Sequence, residues 1–206
     1  MTTELEQQIL LEAEKLFLEK GFAGTSTTDI ARAVGCNQAL VHYYYRTKER
    51  LFRGIFVQKI NLLLNYLDDA EYNGNFSDTL RMVVDFYFTF LTQNPRLPFF
   101  VMNELILNPE RREWIRETFV EDERRQRVYY NFSAIVKSEI EKGNIRQIEP
   151  LDLLLDIASL VVMTFVSLPI YQDLLLKSSP EVDMYLSRRK NEILTLLLRG
   201  LLRDNQ

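Results

Sequence analysis

The 206 residues are 47% apolar and 26% charged, a composition that builds a globular core and excludes a disordered chain. The net charge of −4 excludes binding to nucleic acid through bulk positive charge, and a length of 206 residues allows one or two domains. The single cysteine and single histidine exclude an intrachain disulfide, a multi-cysteine metal site and a multi-histidine metal site.

A first helix is expected from about Thr3 to Lys20. Leu5, Ile9, Ala13, Leu16 and Phe17 share one face, Glu6, Gln7, Glu14 and Lys15 lie away from it, and Gly21 stops it. The opening MTTELEQQ lacks a basic-plus-apolar leader, so a cytoplasmic protein is expected.

The stretch Ser26 to Lys48, STTDIARAVGCNQALVHYYYRTK, is the one around which the rest of the chain is organised. Ser26 can cap a helix and Asp29, three residues on, can close a capping box. Gly35 ends that helix, and Asn37 can cap a second one beginning at Gln38 after a tight turn. On the second helix Val41 and Tyr45 would face inward, leaving Gln38, Ala39, His42 and Tyr43 outside, where they can reach into a major groove. Its first turn also points free backbone donors outward, which suits phosphate. Between Ile30 and Arg53, Arg32, Arg46, Lys48, Arg50 and Arg53 stand against Glu49 alone. Two core helices joined by a glycine turn would fit the local pattern equally. Cys36 in the turn reads as a small buried side chain, a redox-sensing thiol being the alternative.

The run from Ile9 to Phe52 adds a Leu16-Phe17 pair, Gly21-Phe22, Thr25-Ser26, Asp29-Ile30-Ala31, Gly35, Lys48-Glu49 and Leu51-Phe52, in order and without gaps. It resembles the N-terminal DNA-binding domain of the TetR family of bacterial transcriptional regulators. The resemblance implies that Thr27 and Thr28 contact backbone or a base at the start of the first motif helix. It implies that Gln38, Ala39, Leu40 and Tyr43 form the base-facing surface, and that His42, Tyr44 and Lys48 approach phosphates. His42 departs from the family's usual tyrosine and Tyr45 from its usual phenylalanine.

Thr47 can cap a fourth helix carrying Leu51, Phe52, Ile55, Phe56, Ile60, Leu63, Leu64 and Leu67 to about Asp69. No linker separates it from the motif, so it should act as a stiff rod. Glu71 to Asn75, EYNGN, is the first clear loop. A helix from Ser77 is apolar nearly all round and belongs in an interior. Pro95 and Pro98 interrupt; LPFFVMNELILN gives a shorter helix to Asn108, and Pro109 opens one long helix through Ile140 with a solvated EDERRQR middle, including a Glu121–Arg125 pair. Lys142-Gly143-Asn144 ends it. Pro150 opens the next helix, expected to close before Pro169. Its uncharged run, Ile157 to Gln172, falls short of the roughly 20 residues of a membrane span and reads as a buried helix. The last helix should run from about Glu181 to Arg203, with Tyr185, Leu186, Ile193, Leu196, Leu197 and Leu201 as its stripe. Both final helices carry more apolar surface than one small partner covers. Ala158 and Gly200 leave room for close approach by a second copy, although Gly200 also reads as a surface position with no need of helix propensity.

The expected fold is therefore all-α: a three-helix N-terminal helix-turn-helix domain, residues 1–50, joined by a long helix to a helical ligand-binding and dimerisation domain, residues 51–206. The resemblance implies a homodimer through the last two helices on double-stranded DNA, with half-sites about 34 to 36 Å apart and a palindromic operator. It further implies release by a small apolar or aromatic effector. Phe86, Phe90, Met102, Asn103, Trp114, Phe119, Tyr129, Met163 and Phe165, with Gln172 as a further polar group, are the candidates to line its pocket, although each alone would serve as core. Neither cofactor, metal nor membrane is implied. Catalysis would rest on carboxylates such as Glu104, Asp152 and Asp156, without a histidine partner, so an enzyme is not expected. A purely structural helical dimer is the remaining rival.

Overall fold

The computed structural model describes residues 3–68, 75–106, 108–120, 123–176 and 178–202. Among these the regular structure is helical, apart from one bridge pairing Ile145 with Leu202. The chain forms two compact units, Met1–Asn65 with Phe99–Glu117, and Tyr66–Pro98 with Thr118–Gln206.

The first unit is built on α1 (Glu4–Lys20), α2 (Thr27–Val34), α3 (Gln38–Tyr45) and the greater part of α4 (Lys48–Asp68). Thr3 caps α1 by accepting the Glu6 amide, and the spacing of Ile9, Ala13 and Phe17 turns one face inward. Ile30 and Ala31 of α2, Val41 of α3, and Leu51 and Phe52 of α4 close the core against that face. The rings of Phe17, Phe22 and Phe52 meet with centroids 5.3 to 5.8 Å apart. Fully burying such a side chain contributes about 1.5–3 kcal/mol, so this small domain depends on a few rings. Of the apolar positions expected on α4, the side chains of Ile60, Leu63, Leu64 and Leu67 lie outside the described residues.

A returning segment completes this unit. The expected single helix to Asn108 is instead α6 (Leu97–Val101) followed by a π-helical turn, Met102–Ile106. The one-residue widening of a π turn takes the side chains after it out of α register, and such turns mark places where a particular side chain must be aimed. Glu104 sits within it. Phe100 then packs on Phe52, centroids 5.3 Å apart, and Trp114 of α7 (Pro109–Val120) stands edge-on to Phe56 at 5.8 Å.

The second unit holds α5 (Phe76–Gln93), α8 (Glu123–Glu141), α9 (Pro150–Leu174) and α10 (Ser179–Leu201). α5 starts before Ser77 because Asn75 is its cap, its side chain accepting the Asp78 amide. As expected for an interior helix, it buries Phe76, Leu80, Val83, Val84, Phe88 and Leu91. The EYNGN loop falls outside the described residues except for Asn75. The long helix expected from Pro109 is described as α7 and α8 on either side of residues 121–122, which, with the Glu121–Arg125 pair, lie outside the described residues. Gly143, at φ 77°, turns the chain after α8, and Arg146 then donates to the Leu201 carbonyl at 2.8 Å, fastening this loop to the end of α10. α10 begins before Glu181 because Ser178 and Glu181 form a capping box with Pro180 in the first turn.

Two expectations for α9 need correcting. It does not close before Pro169 but runs through it to Leu174. Pro169 is exposed, and its missing N–H removes the bond that the Phe165 carbonyl would otherwise accept. Nor is α9 a buried helix. Its 25 residues are long and apolar enough to cross a membrane, yet only 33% of the most apolar window is buried. Leu153, Ile157, Val161, Phe165 and Leu168 face the core, while Leu151, Leu155, Met163, Ile170 and Leu174 form an exposed stripe.

Candidate nucleic-acid interface

The motif is assembled by capping bonds that the local sequence dictates. Ser26 accepts the Asp29 amide at 3.1 Å while the Asp29 carboxylate accepts the Ser26 amide at 3.2 Å. These Ser26 bonds, with Arg32 and Lys20 nearby, hold the Asp29 carboxyl below the usual carboxylate range. Gly35 ends α2 at φ 76°, ψ 27°, a left-handed conformation that a side chain would strain. Asn37 then caps α3 by accepting the Ala39 amide at 2.9 Å.

With Val41 only 1% exposed and Tyr45 half-buried, the opposite face of α3 is fixed. Gln38, Ala39, Leu40, His42 and Tyr43 are all exposed, Tyr43 to 70%. Thr28 is exposed and Thr27 half-exposed at the start of α2. Gln38 Nε2 donates to Thr27 Oγ1 at 2.9 Å, and His42 Nε2 lies 3.4 Å from both groups, so these three residues form one polar cluster across the two helices. Tyr44 is half-buried, its ring edge-on to Tyr43 at 5.2 Å and its hydroxyl accepting from Thr3 at 3.1 Å. Lys48, expected at a phosphate, donates to the carbonyls of Phe22 and Thr25 at 2.9 and 2.8 Å and lies 4.0 Å over the Phe22 ring. An ammonium has three donors, so one stays available to a phosphate. Cys36 is half-buried.

The loop before α2 is held from below by a charged cluster that sequence reasoning missed. Arg111, 5% exposed, pairs with Glu104 and with Glu49 at 3.3 Å, and its guanidinium lies 3.9 Å over Phe22 and 4.3 Å over Phe52. Glu104, by sequence a possible acid, accepts the Phe22 amide at 2.8 Å. A Cβ on Gly21, itself at φ 72°, would lie 3.3 Å from the same carboxylate. Low-dielectric surroundings make such pairing strong only when the remaining donors are satisfied, and here the Arg111 Nε has no partner.

The residues expected to line an effector pocket are divided between the two units. Met102, Asn103 and Trp114 belong to the first unit; Phe86, Phe90, Tyr129, Met163 and Phe165 belong to the second, and the side chain of Phe119 lies outside the described residues. Phe90 and Phe165 are buried as core, Phe90 stacked on Phe86 and Phe165 against Phe88, whereas Asn103 and Tyr129 are exposed. A groove of about 870 Å³ lies along α9 and α10, lined by Met163 with Thr164, Tyr171, Tyr185, Arg188 and Arg189 among others. Met163 alone is common to both sets. Gln172 lines a smaller cavity of about 330 Å³. Asp152 and Asp156 are exposed on α9.

Residues 9–55 match the family model described as bacterial regulatory proteins of the tetR family. Residues 9–55 are thus a TetR-family domain. The relatives that the chain matches are, by name, transcriptional regulators. Among curated relatives, the icaADBC biofilm-operon negative transcriptional regulator IcaR of Staphylococcus epidermidis is 29% identical over 86 residues, 39% of this chain; the match spans about half of that relative, 46%. The probable transcriptional regulator YttP of Bacillus subtilis is 23% identical over 80% of this chain and 79% of its own. Among solved structures, a tetR-family regulatory protein from Rhodococcus RHA1 superposes with TM-score 0.74 at 22% identity, covering 98% of this chain and 100% of that one. A transcriptional regulator from Saccharomonospora viridis, in complex with choline, gives 0.72 at 14% identity over 96% and 97%. At such identities the structures speak for the TetR fold.

Proposed function

We propose that this TetR-family protein is a cytoplasmic homodimeric repressor that reads a palindromic operator and releases it when a small apolar or aromatic effector binds. Residues 1–50 act as the reading head and residues 51–206 as the effector and dimerisation part, the head drawing Phe99–Glu117 into its own packing. Thr27, Thr28, Gln38, Ala39, Leu40 and Tyr43 meet bases or adjacent backbone, and His42, Tyr44 and Lys48 meet phosphates. The observation that carries this reading is the outward row on α3, exposed to solvent and backed by a buried Val41. Repression is favoured because IcaR is by name a negative regulator. The exposed stripe of α9, with Met184 and Leu196 on α10, supplies the apolar surface that a second copy would cover.

An effector acts by preferring the dimer conformation whose recognition helices no longer match successive major grooves. Its effect cannot exceed its differential affinity for the two conformations. The test is fluorescence-anisotropy titration of the purified protein on the DNA upstream of its own gene and on scrambled duplex. One dimer per palindrome with a preference of at least about a thousandfold is the expected result. Equal affinity for both duplexes, or binding by a monomer, would refute the reading.

A further inference from the structure

We propose that His42 and Thr27 lock the Gln38 side chain with its carbonyl oxygen outward, making α3 a reader of an exocyclic amino group in the major groove. This rests on the DNA-reading role proposed for α3. The lock begins at Arg46, which comes directly after α3 with φ 62°, a left-handed value uncommon for a residue with a side chain. Its carbonyl oxygen lies 3.1 Å from His42 Nδ1. A carbonyl only accepts, so Nδ1 carries the hydrogen and, in the neutral ring, Nε2 is a bare acceptor.

That acceptor faces Gln38 Nε2 and Thr27 Oγ1, each at 3.4 Å, and Gln38 Nε2 lies 2.9 Å from Thr27 Oγ1. One amide hydrogen of Gln38 therefore bonds Thr27 Oγ1, with the His42 acceptor beside it on the protein side. Turning the amide over would set Oε1 against the Nε2 lone pair, acceptor against acceptor. Gln38 is exposed, and Oε1 is the atom left for the groove. In the major groove the donors are the N6 amino group of adenine and the N4 amino group of cytosine, whereas N7, O6 and O4 accept. A free glutamine can present either end; this one presents its acceptor.

The experiment starts from a duplex chosen by selection on the full-length protein, in which the base pair that ceases to matter in Gln38→Ala is the one under residue 38. At that pair the amino group is deleted, purine replacing adenine or pyrimidin-2-one replacing cytosine, and separately the acceptor is deleted, 7-deazapurine replacing the purine. Wild-type protein is expected to lose about tenfold in affinity on amino deletion, the size of one good base contact, and almost nothing on acceptor deletion. Gln38→Ala should be indifferent to both. Gln38→Glu, an acceptor at every rotation, should keep the amino dependence. Thr27→Val with His42→Phe should become sensitive to acceptor deletion as well, since the amide can then turn. Wild-type loss on acceptor deletion alone, or loss of the amino dependence in Gln38→Glu, would overturn the lock while leaving α3 as the reading helix. If no base pair responds to Gln38→Ala, the DNA-reading role of this residue fails and the lock with it.

Discussion

Between α3 and α9 the same rule of helix packing gives opposite surfaces. α3 buries Val41 and shows solvent mainly hydrogen-bonding side chains, Gln38, His42 and Tyr43, beside a small Ala39. α9 buries Leu153, Ile157 and Val161 and still shows Leu151, Leu155, Met163, Ile170 and Leu174. A row of donors and acceptors is costly to cover with anything apolar, and suits phosphates and base edges. An apolar row left in water suits a partner that is itself apolar. On the proposed function each helix is half of an interface, and the chemistry of the exposed half says which kind.

The largest effect should come from breaking the apolar half. If α9 pairs with its own copy, an isologous contact uses each residue twice, so Leu155→Glu and Ile170→Glu each remove two buried side chains and bring in two like charges. Dimerisation should weaken by at least about a hundredfold for either, given about 1.5–3 kcal/mol per side chain buried. Sedimentation equilibrium of the two variants beside the wild type reads this directly. An unchanged mass for both would put the dimer contact elsewhere.

Next comes a change inside the first unit, to separate holding the head together from reading DNA. Glu104→Gln keeps an acceptor for the Phe22 amide but leaves the buried Arg111 with Glu49 alone. Breaking a buried pair from one side costs about 3 kcal/mol, whereas Arg111→Met with Glu104→Gln, which removes both charges, should recover most of it. Urea unfolding of both variants gives the coupling. Losses that simply add would mean that the cluster is not a unit.

This cluster also marks where sequence reasoning stopped. The motif was legible because its determinants are local: Ser26 and Asp29 are three residues apart, Gly35 needs only its own φ, and Asn37 caps the helix it precedes. Arg111 lies in a charged run, PERREW, that reads as solvated surface, and nothing near it in sequence points to Glu49, 62 residues away. Glu104, in the π turn, likewise meets Phe22, 82 residues distant. Proline was over-read at Pro169, through which α9 continues to Leu174. The pocket residues were the least legible, because whether Phe90 or Phe165 lines a cavity or fills one depends on packing that periodicity does not encode. Their burial, Phe90 stacked on Phe86 and Phe165 tilted against Phe88, is visible only in three dimensions.

A third change sharpens the polar half. Lys48 touches both tasks, bonding two carbonyls of the loop before α2 while keeping one donor free. Lys48→Ala should therefore cost stability, by about 1–3 kcal/mol, and weaken binding to all DNA sequences alike. The slope of log affinity against log salt should flatten by about one unit, the signature of a single lost phosphate contact. Tyr43→Ala, by contrast, should blunt sequence preference and leave that slope in place. Anisotropy titrations at several salt concentrations on matched and scrambled duplex separate the two; the opposite pattern would exchange the two roles.

The smallest effect concerns the seam between α1 and α3. The Tyr45 hydroxyl donates to the Glu6 carbonyl at 3.1 Å, and burial, with the Glu6 charge second, pushes its pKa up from 10 to about 12. The folded state thus favours the neutral, protonated phenol more strongly than the unfolded chain does. That preference contributes fully below about pH 10, where the unfolded phenol is still protonated, and is lost as pH rises through about 12, where both states are ionised. Tyr45→Phe should cost about 1 kcal/mol at neutral pH by deleting one hydrogen bond at a half-buried site. Phenylalanine has no proton to lose, so the gap between the two proteins should narrow as pH climbs from about 10 towards about 12. Lysines and other tyrosines titrate there in both proteins and cancel in the difference. Urea midpoints of the pair, measured across that range, give the gap at each pH. A gap that stays constant to the alkaline end would mean that the hydroxyl is solvated and the seam rests on the ring alone.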